Sequence, residues 1–258
     1  MLFFIGQILP YIAAAIFIVG VSCRITGWLK APVPFELTMF HQDGVGKSRM
    51  ADLGRELLLF DSLRRGDMWL WLWAWLMHAA LLLIIIGHIA GIYFLTKQFT
   101  LVGLSAQTST QLSAFLGSIS GWVLIASLTV LFYRRTADPE LKRLTDPADY
   151  FDLMLLMAIA VTGMHMRTGT AVDLPAVRTY IGGLLTLHPA AMPQDWRFIS
   201  HFTLVNILLI YFPFSKLMHL AGSIVSRLII TQQPPVYPSP AGFKRSVLFG
   251  KEVAKDES

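Results

Sequence analysis

The chain has 258 residues, of which 55% are hydrophobic and only 14% are charged. Soluble domains carry about 25% charged residues, whereas several uncharged apolar stretches here exceed the roughly 18 residues that indicate a membrane-spanning helix. The composition therefore excludes a soluble globular fold. The net charge of +5 comes from basic residues beside the apolar stretches, so it does not indicate nucleic-acid binding.

Five apolar segments predict membrane-spanning helices, and internal repeats are absent. In chain order they cover about 2–29, 68–96, 112–133, 148–168 and 198–226. The sequence thus predicts an all-α integral membrane protein with a five-helix bundle over 1–228. A proline-rich tail over 229–258 follows, and prolines rule out a continuing helix there.

The first segment has no basic residue before its apolar run, which argues against a cleaved signal peptide and favours a first spanning helix. The single cysteine, Cys23, lies inside this segment. One cysteine excludes an internal disulfide and a cysteine-ligated iron–sulfur cluster. We interpret Cys23 as a small apolar packing residue.

The basic residues are distributed unequally between the two sides of the predicted bundle. Seventeen of the 21 lysines and arginines fall in the first connection, in the third–fourth connection and beyond the middle of span five. The other side carries only four, namely Lys97, Arg167, Arg178 and Arg197. The positive-inside rule then predicts an N-out, C-in topology in the cytoplasmic (inner) membrane.

Two amphipathic features flank the start of span two. Met50, Leu53, Leu57 and Phe60 recur at helical spacing among basic residues. This pattern is typical of a helix at the membrane interface, and it equally fits a helix that rests on a partner subunit. Tryptophans at positions 69, 71, 73 and 75 indicate an aromatic belt rather than a cofactor site.

Four of the seven histidines lie within two of the predicted spans, His78 and His88 ten residues apart and His201 and His219 eighteen apart. An imidazole in a spanning helix is costly unless it faces a partner, a cavity or a metal. At about 1.5 Å and 100° per residue, each pair shares one side of its helix, about 15 Å and about 27 Å apart along the axis. Tilt of the helices, and of the haem planes if the imidazoles bind haem, must absorb the difference of about 12 Å.

Antiparallel spans then bring His78 to His219 and His88 to His201. Such pairs predict the bis-histidine ligands of two b haems, and because no CxxCH motif occurs, these haems would lack thioether bonds. The alternative is hydrogen-bonded core histidines. Gly87 and Gly91 beside His88 leave room for a flat macrocycle, or alternatively for close helix packing.

Three arginines and one further histidine are candidate site residues. Arg134 and Arg135 follow span three and are expected near the propionates of the cytoplasmic haem, unless they act only as positive-inside signals. Arg197 lies one turn before His201 and is a candidate for a propionate or a quinone carbonyl, unless it only anchors the helix end. His165, at the outer end of span four, is either a quinone-facing or an interfacial residue.

At these residues the chain resembles the gamma-subunit family of respiratory nitrate reductase. The resemblance covers about residues 5–225 and rests on GHIAG around His88, on both histidine spacings, on FPFSKLMH ending at His219 and on the Arg134–Arg135 pair. It implies five helices with the N-terminus outside and two b haems. His78 and His219 would ligate the haem proximal to an iron–sulfur subunit, and His88 and His201 the distal haem that borders the quinol site.

Two departures from nitrate reductase itself are visible. No lysine occurs near Ser109, where the family's quinol-site lysine would fall, and the connection between spans one and two, which contains ELLLFDSLRRGD, is longer. This long connection is similar to relatives beside heterodisulfide-reductase-type iron–sulfur subunits, such as the membrane cytochrome b of the dissimilatory sulfite-reductase-associated complex. The resemblance favours that branch.

The sequence therefore predicts a membrane cytochrome b subunit of a respiratory complex, without catalytic residues of its own. It would transfer electrons between the quinone pool, such as menaquinone, and a cytoplasmic iron–sulfur partner that is heterodisulfide-reductase-like or nitrate-reductase-beta-like. A true nitrate reductase gamma subunit is the first alternative. A proton-conducting transporter or channel is the second, although the spans lack matching Gly/Pro interruptions.

Apolar residues in the tail, Phe243, Val247, Leu248 and Phe249, recur among basic ones. A free tail seldom keeps so many, so they predict a docking surface for the iron–sulfur partner. The alternative is a basic tail on anionic lipid.

Overall fold

The structure is a computed structural model that describes residues 1–30, 54–169 and 172–231, with side chains described up to residue 226. Met50 and Leu53 of the predicted interface helix lie outside the described residues. The predicted tail surface, from residue 232 onwards, lies outside them as well.

The described part of the chain is helical and contains no strand. Five segments are long and apolar enough to cross a membrane, which confirms the predicted all-α chain with five such spans: Phe4–Lys30, Met68–Phe94, Ala106–Ala137, Pro147–Thr168 and Trp196–Phe214. The protein is therefore a multi-pass membrane protein.

The helices are named in chain order, and a π-helical turn, Phe4–Ile8, leads into the first of them. They are α1 Leu9–Lys30, α2 Asp61–Gly66, α3 Met68–Phe94, α4 Ala106–Ala137, α5 Pro139–Leu144, α6 Pro147–Thr168, α7 Leu174–Leu185, α8 Trp196–Tyr211 and α9 His219–Thr231.

Polar residues at the helix starts explain where the long helices begin. The first backbone N–H groups of a helix have no partner within it, so a side chain must accept from them. Asp67 accepts from Leu70 N at the start of α3, and Ser105 accepts from Thr108 N at the start of α4. Asp195 accepts from Arg197 N at the start of α8.

The spanning helices pack in a row rather than in chain order. α1 packs on α8, α8 on α6, α6 on α4 and α4 on α3. The backbone of α3 is not closely packed against α8 or α9, although its histidines face theirs. A space bridged by side chains therefore separates α3 from these two helices.

Few side chains are buried within the protein itself. Ala80, Leu124, Leu128 and Ala160 form one small core where α3, α4 and α6 meet. Many large apolar residues, among them Ile85, Ile89 and Trp122, are exposed at the surface of the spans. Apolar side chains on the outside suit a protein whose surroundings are hydrocarbon rather than water.

The prediction of one continuous helix over 198–226 is wrong. α8 ends at Tyr211, two short 3₁₀ turns follow, Phe212–Phe214 and Lys216–Met218, and α9 begins at His219. Pro213 has no backbone N–H and cannot continue the helical ladder. Ser215 is extended, and its Oγ accepts from Leu217 N at 3.1 Å, which starts the new turn.

The predicted interface helix also differs from the structure. Residues 54–59 are helical, but the helix ends before Phe60, which has a left-handed backbone with φ of 50°. Two of the belt tryptophans fasten this segment to α3, because the indole N–H of Trp71 donates to Leu59 O and that of Trp75 to Leu58 O. The Phe60 ring lies edge-on against His78, with ring centroids 5.1 Å apart.

Helix α7 was not predicted, and it packs on the opposite end of the bundle from α2. Tyr180 of α7 is fully covered by protein, and its hydroxyl donates to Gly6 O at 2.5 Å. Its ring packs edge-on against Phe198 and Phe202 of α8. One side chain therefore joins α7 to both α1 and α8.

Tyr180 should make the protein sensitive to alkaline pH. Burial raises the pKa of Tyr180 from 10.0 to about 12, so above pH 10 the unfolded chain loses this proton while the folded chain keeps it. The free energy of unfolding should hence be unaffected by this group below pH 10 and should fall as pH rises from 10 to about 12. Denaturation in detergent across this range measures it.

Tyr180→Phe should reduce this alkaline loss and should cost about 1 kcal/mol at neutral pH, because the bond to Gly6 O is lost. Tyr133→Phe, at a residue that is 69% exposed, is the matched control and should change neither quantity. An alkaline unfolding profile identical in wild type and Tyr180→Phe would contradict the expectation.

Candidate functional site

The structure brings together the two histidine pairs that the spacing predicted. His78 of α3 faces His219, the first residue of α9, with their Nε2 atoms 3.4 Å apart and ring centroids 5.7 Å apart. Six residues short of the end of α3, His88 faces His201 of α8, with ring centroids 6.2 Å apart and ring planes 11° apart. We name these the 78/219 pair and the 88/201 pair.

A helix break separates the two histidines of the last span. If α8 continued, His219 would lie about 27 Å along its axis from His201, far beyond the roughly 15 Å between the two histidines of α3. The chain instead turns twice over residues 212–218 before His219. The expectation that His201 and His219 share one face of a single helix is therefore wrong, because the helix that carries His201 ends before His219.

In all four histidines the same ring nitrogen, Nδ1, is hydrogen-bonded to the backbone. Each Nδ1 lies at hydrogen-bond distance from a backbone carbonyl: His78 from Ala74 O (2.7 Å), His88 from Ile84 O (2.7 Å), His219 from Lys216 O (3.0 Å) and His201 from Ile159 O (3.1 Å). A carbonyl can only accept, so Nδ1 carries the proton and donates. The lone pair of each imidazole is then on Nε2, which is the arrangement of metal-ligating histidines.

The spacing of the rings suits one metal atom between each pair. A metal lies about 2.0 Å from an imidazole nitrogen, so two opposed ligands need nitrogens about 4 Å apart and ring centroids about 6 Å apart. Among the described residues no group of three or more His, Cys, Asp or Glu side chains could hold a metal ion. A haem iron needs only two axial ligands from the protein, and this donor set fits that need.

Glycines next to the 88/201 pair differ in what surrounds them. A Cβ added at Gly87 or Gly91 would meet no described atom within 4 Å, so the structure gives no support to the alternative of close helix packing at these positions. A Cβ at Gly163 of α6 would lie 3.1 Å from His201 Cε1. Thr162 Oγ1 lies 3.0 Å from His201 Nδ1. The His201 ring therefore packs against α6 at Thr162 and Gly163.

Both predicted propionate-binding arginines are engaged with carboxylates. Arg134 Nη2 lies 2.8 Å from Asp67 Oδ2, and Arg135 Nη1 lies 3.6 Å from Asp149 Oδ2. The Arg134 contact joins the end of α4 to the start of α3. A role toward a propionate stays a prediction for both residues.

Lys216 is a residue of this region that the sequence analysis did not single out. Its Nζ lies 2.7 Å from Asp146 Oδ2 and 2.9 Å from Asp149 Oδ1, at the start of α6. Hydrogen bonds to Asp146 and Asp149 raise the pKa of the Lys216 ammonium. The sequence signals were the lysine within FPFSKLMH and the two aspartates that begin α6.

Arg197 lies at the other end of the bundle and is largely buried, with 9% of its surface exposed. Its Nε donates to Asp195 Oδ1 at 3.0 Å, and hydrogen bonds from Arg197 lower the pKa of Asp195 to about 2. A Cβ at Gly169 would lie 2.4 Å from Arg197 Nη1. The guanidinium is therefore held between Asp195 and the end of α6, and a role toward a quinone stays a prediction.

An open cleft of about 500 Å³ lies at this end, lined by His165, Gln194, Asp195, Trp196 and Arg197. His165 is exposed, and its ring centroid lies 5.3 Å from that of Trp196. Neither of its two interpretations is decided by these contacts. His188 is also exposed and donates from Nδ1 to Thr186 O.

The position near Ser109, where a lysine was missing, has a structural role. Ser109 is fully buried, donates to Thr96 O at 2.9 Å and accepts from Phe99 N. Arg167 of α6, which the sequence indicated only as one of four basic residues on the outer side, contacts α4 close to this position. Its guanidinium donates to Ser113 O, Ala114 O and Ser118 Oγ, and it occupies the space that a Cβ at Gly117 would fill.

Comparison with known proteins identifies the family of the chain. The family model described as nitrate reductase gamma subunit matches residues 65–237, which include both histidine pairs. The chain is 32% identical to an Hdr-like menaquinol oxidoreductase cytochrome b-like subunit of Archaeoglobus fulgidus, over 84% of this chain and 76% of that protein.

Two further relatives agree. A protein of the same description from Archaeoglobus profundus is 29% identical, over 85% of this chain and 76% of that protein. The nitrate reductase gamma chain of Bacillus subtilis is 25% identical, over 56% of this chain and 68% of that protein. The resemblance that the sequence indicated, including its Hdr-like branch, is confirmed. The chain belongs to the nitrate reductase gamma subunit family.

Proposed function

We propose that the chain is the membrane cytochrome b subunit of a respiratory complex and passes electrons between the quinone pool and a cytoplasmic iron–sulfur partner through two b haems. The observation that carries this proposal is the arrangement of four imidazoles in two facing pairs, each with Nδ1 bonded to a backbone carbonyl, which leaves the lone pair of Nε2 free to bind a metal. When bound, haem supplies the one-electron redox chemistry, and the protein supplies the ligands and the surroundings.

The two histidine pairs would hold two haems at different depths of the bundle. His78 and His219 would be the axial ligands of one haem, and His88 and His201 those of the other. The space between α3 and the α8–α9 pair would accommodate the macrocycles, and Gly87 and Gly91 leave the surface of α3 open beside His88. Arg134 and Arg135 lie at the 78/219 end of α4 and remain our candidates for propionates there.

The charge distribution supports an N-out, C-in orientation in the cytoplasmic membrane. At the 78/219 end the described part of the chain carries a cluster of basic residues: Arg55, Arg64, Arg65, Arg134, Arg135, Lys142, Arg143 and Lys216. The opposite end carries Lys97, Arg167, Arg178 and Arg197. Positive residues accumulate on the cytoplasmic side, so the 78/219 pair would lie toward the cytoplasm and the 88/201 pair toward the outside.

We assign the quinone site to the 88/201 end and menaquinol as the substrate. Two of the relatives are described as menaquinol oxidoreductase cytochrome b-like subunits, which supports this choice. Arg197 remains a candidate for a quinone carbonyl or a propionate, and Gly91 would leave space for the ring. Arg167 is the second arginine at this end. It bonds to Ser113 O and Ala114 O of α4, close to Ser109, where the family has a lysine.

The partner would be a cytoplasmic iron–sulfur subunit of the heterodisulfide-reductase-like type. The Hdr-like description of two relatives supports that branch over a nitrate-reductase-beta-like partner. In such a complex this chain would act as the electron-transfer subunit, and the iron–sulfur partner would exchange electrons with it on the cytoplasmic side.

The test is a haem determination on the purified full chain. We expect two non-covalent b haems per chain in an alkaline pyridine spectrum, and reduction of both haems by a soluble menaquinol analogue. A chain that contains no haem, and that conducts protons when reconstituted in vesicles, would contradict the proposal and support the transporter alternative.

A further inference from the structure

One residue connects His219 to a second helix. Lys216 lies three residues before His219, in the short turn Lys216–Met218. Its backbone carbonyl accepts from His219 Nδ1 at 3.0 Å. Its side chain reaches α6, where Nζ lies 2.9 Å from Asp149 Oδ1 and 2.7 Å from Asp146 Oδ2. The residue whose carbonyl orients the ring is thus itself tied to α6 through its ammonium.

The orientation of His219 depends on the contact between Lys216 and α6, whereas the orientation of His78 needs no such contact. The carbonyl that orients His78 belongs to Ala74, inside the continuous helix α3. The carbonyl that orients His219 belongs to a three-residue 3₁₀ turn, which has poorer hydrogen-bond geometry than an α-helix. The position of the His219 ring is therefore set by what fixes Lys216.

The two carboxylates around Lys216 are not equivalent. The Asp149 side chain is 10% exposed, whereas that of Asp146 is 68% exposed. An exposed ion pair contributes little, while a buried carboxylate is costly without its cation. Asp149 also accepts from Asp146 N at 3.1 Å, which fixes it at the first turn of α6. Of the two carboxylates, Asp149 is therefore the one that holds Lys216 in place.

We propose that Lys216 and Asp149 form a clamp that positions His219, so that this residue and His78 together would hold a haem at the 78/219 pair. The clamp rests on the proposed function, because it presumes a haem at this pair. Lys216 and Asp149 are positioning residues, since they act through His219 and its backbone. The clamp predicts that weakening either member frees His219 from the iron.

The experiment compares Lys216→Met and Asp149→Asn with wild type in the purified full chain. Carbon monoxide binds reduced haem only where an axial position is open, so the readouts are haem content and the fraction of haem that reacts with it. Both variants should make one of the two haems reactive or lose it, and should leave the other unchanged. Wild type should be unreactive, and Lys216→Arg should stay close to wild type because it keeps the cation.

Lys142→Met is the matched control, because Lys142 is an exposed lysine of α5 and forms no ion pair among the described residues. It should behave as wild type. Should Lys216→Met fail to accumulate, Lys216→Gln gives the same comparison, since it removes the cation and leaves the contact of Asp149 with Arg135 in place.

A purely electrostatic role gives a different result. Loss of the Lys216 charge would then lower the midpoint potential of one haem and loss of the Asp149 charge would raise it, while both haems stayed unreactive toward carbon monoxide. That opposite pair of shifts, or unchanged spectra in both variants, overturns the clamp. A wild-type chain without haem overturns the proposed function, and the clamp with it.

Discussion

His219→Ala should reduce the haem content from two b haems to one. His219 is the only histidine that faces His78 in the described structure, at 3.4 Å between Nε2 atoms, so its loss leaves that haem without a second axial ligand. His78→Ala should remove the same spectral component. His88→Ala and His201→Ala should each remove the other component. Haem quantification and low-temperature spectra of the purified variants measure these losses.

His165→Ala is the control for these replacements. His165 lies within the same bundle but is exposed and packs against Trp196 rather than against another histidine. It should retain both haems. If all four single variants of the paired histidines keep two haems with unchanged spectra, the ligand assignment is wrong. If His78→Ala and His219→Ala remove different components, the pairing is wrong.

Gly163→Val should selectively damage the haem of the 88/201 pair. A Cβ at this position already lies 3.1 Å from His201 Cε1, and valine adds two further methyl groups. Overpacking of this kind costs about 1–3 kcal/mol. The strain can be relieved by moving the His201 ring, which would break its contacts with Ile159 O and Thr162 Oγ1. We expect loss or a shifted spectrum of one haem, with the other intact.

Gly182→Val is the matched control, because a Cβ at Gly182 of α7 meets no described atom within 4 Å. It should change neither haem spectrum. Thermal unfolding in detergent separates the two contributions of Gly163→Val, since general destabilisation affects both haems together. A Gly163→Val variant that keeps the spectrum of the 88/201 haem would show that His201 does not need its close contact with Gly163.

The sequence by itself determined the five spans, because a bilayer demands helices of a minimum length with apolar surfaces and leaves few other solutions. It also determined which histidines pair. Two imidazoles at different depths of α3 and two on the last span can meet in only one antiparallel order, so the pairing of His78 with His219 and of His88 with His201 followed from the antiparallel order of the two spans.

Only the tertiary structure decided where the helix of the last span ends. The turns over residues 212–218 interrupt a segment whose hydropathy reads as one span, and a single proline in an apolar run does not reveal whether a helix bends or stops. Where the interruption falls depends on contacts with other helices. One of them is α1, where a Cβ at Gly20 would lie 2.6 Å from Pro213 Cβ.

The supporting contacts were equally inaccessible from the sequence. Lys216 with Asp149, Gly163 with His201 and Arg167 with Gly117 join positions 38 to 67 residues apart in the chain. Hydropathy and helical periodicity describe each span separately, whereas these contacts depend on which faces of two helices meet. The packing order α1–α8–α6–α4–α3 sets those faces, and it is fixed by side-chain fit between helices, which only the folded chain specifies.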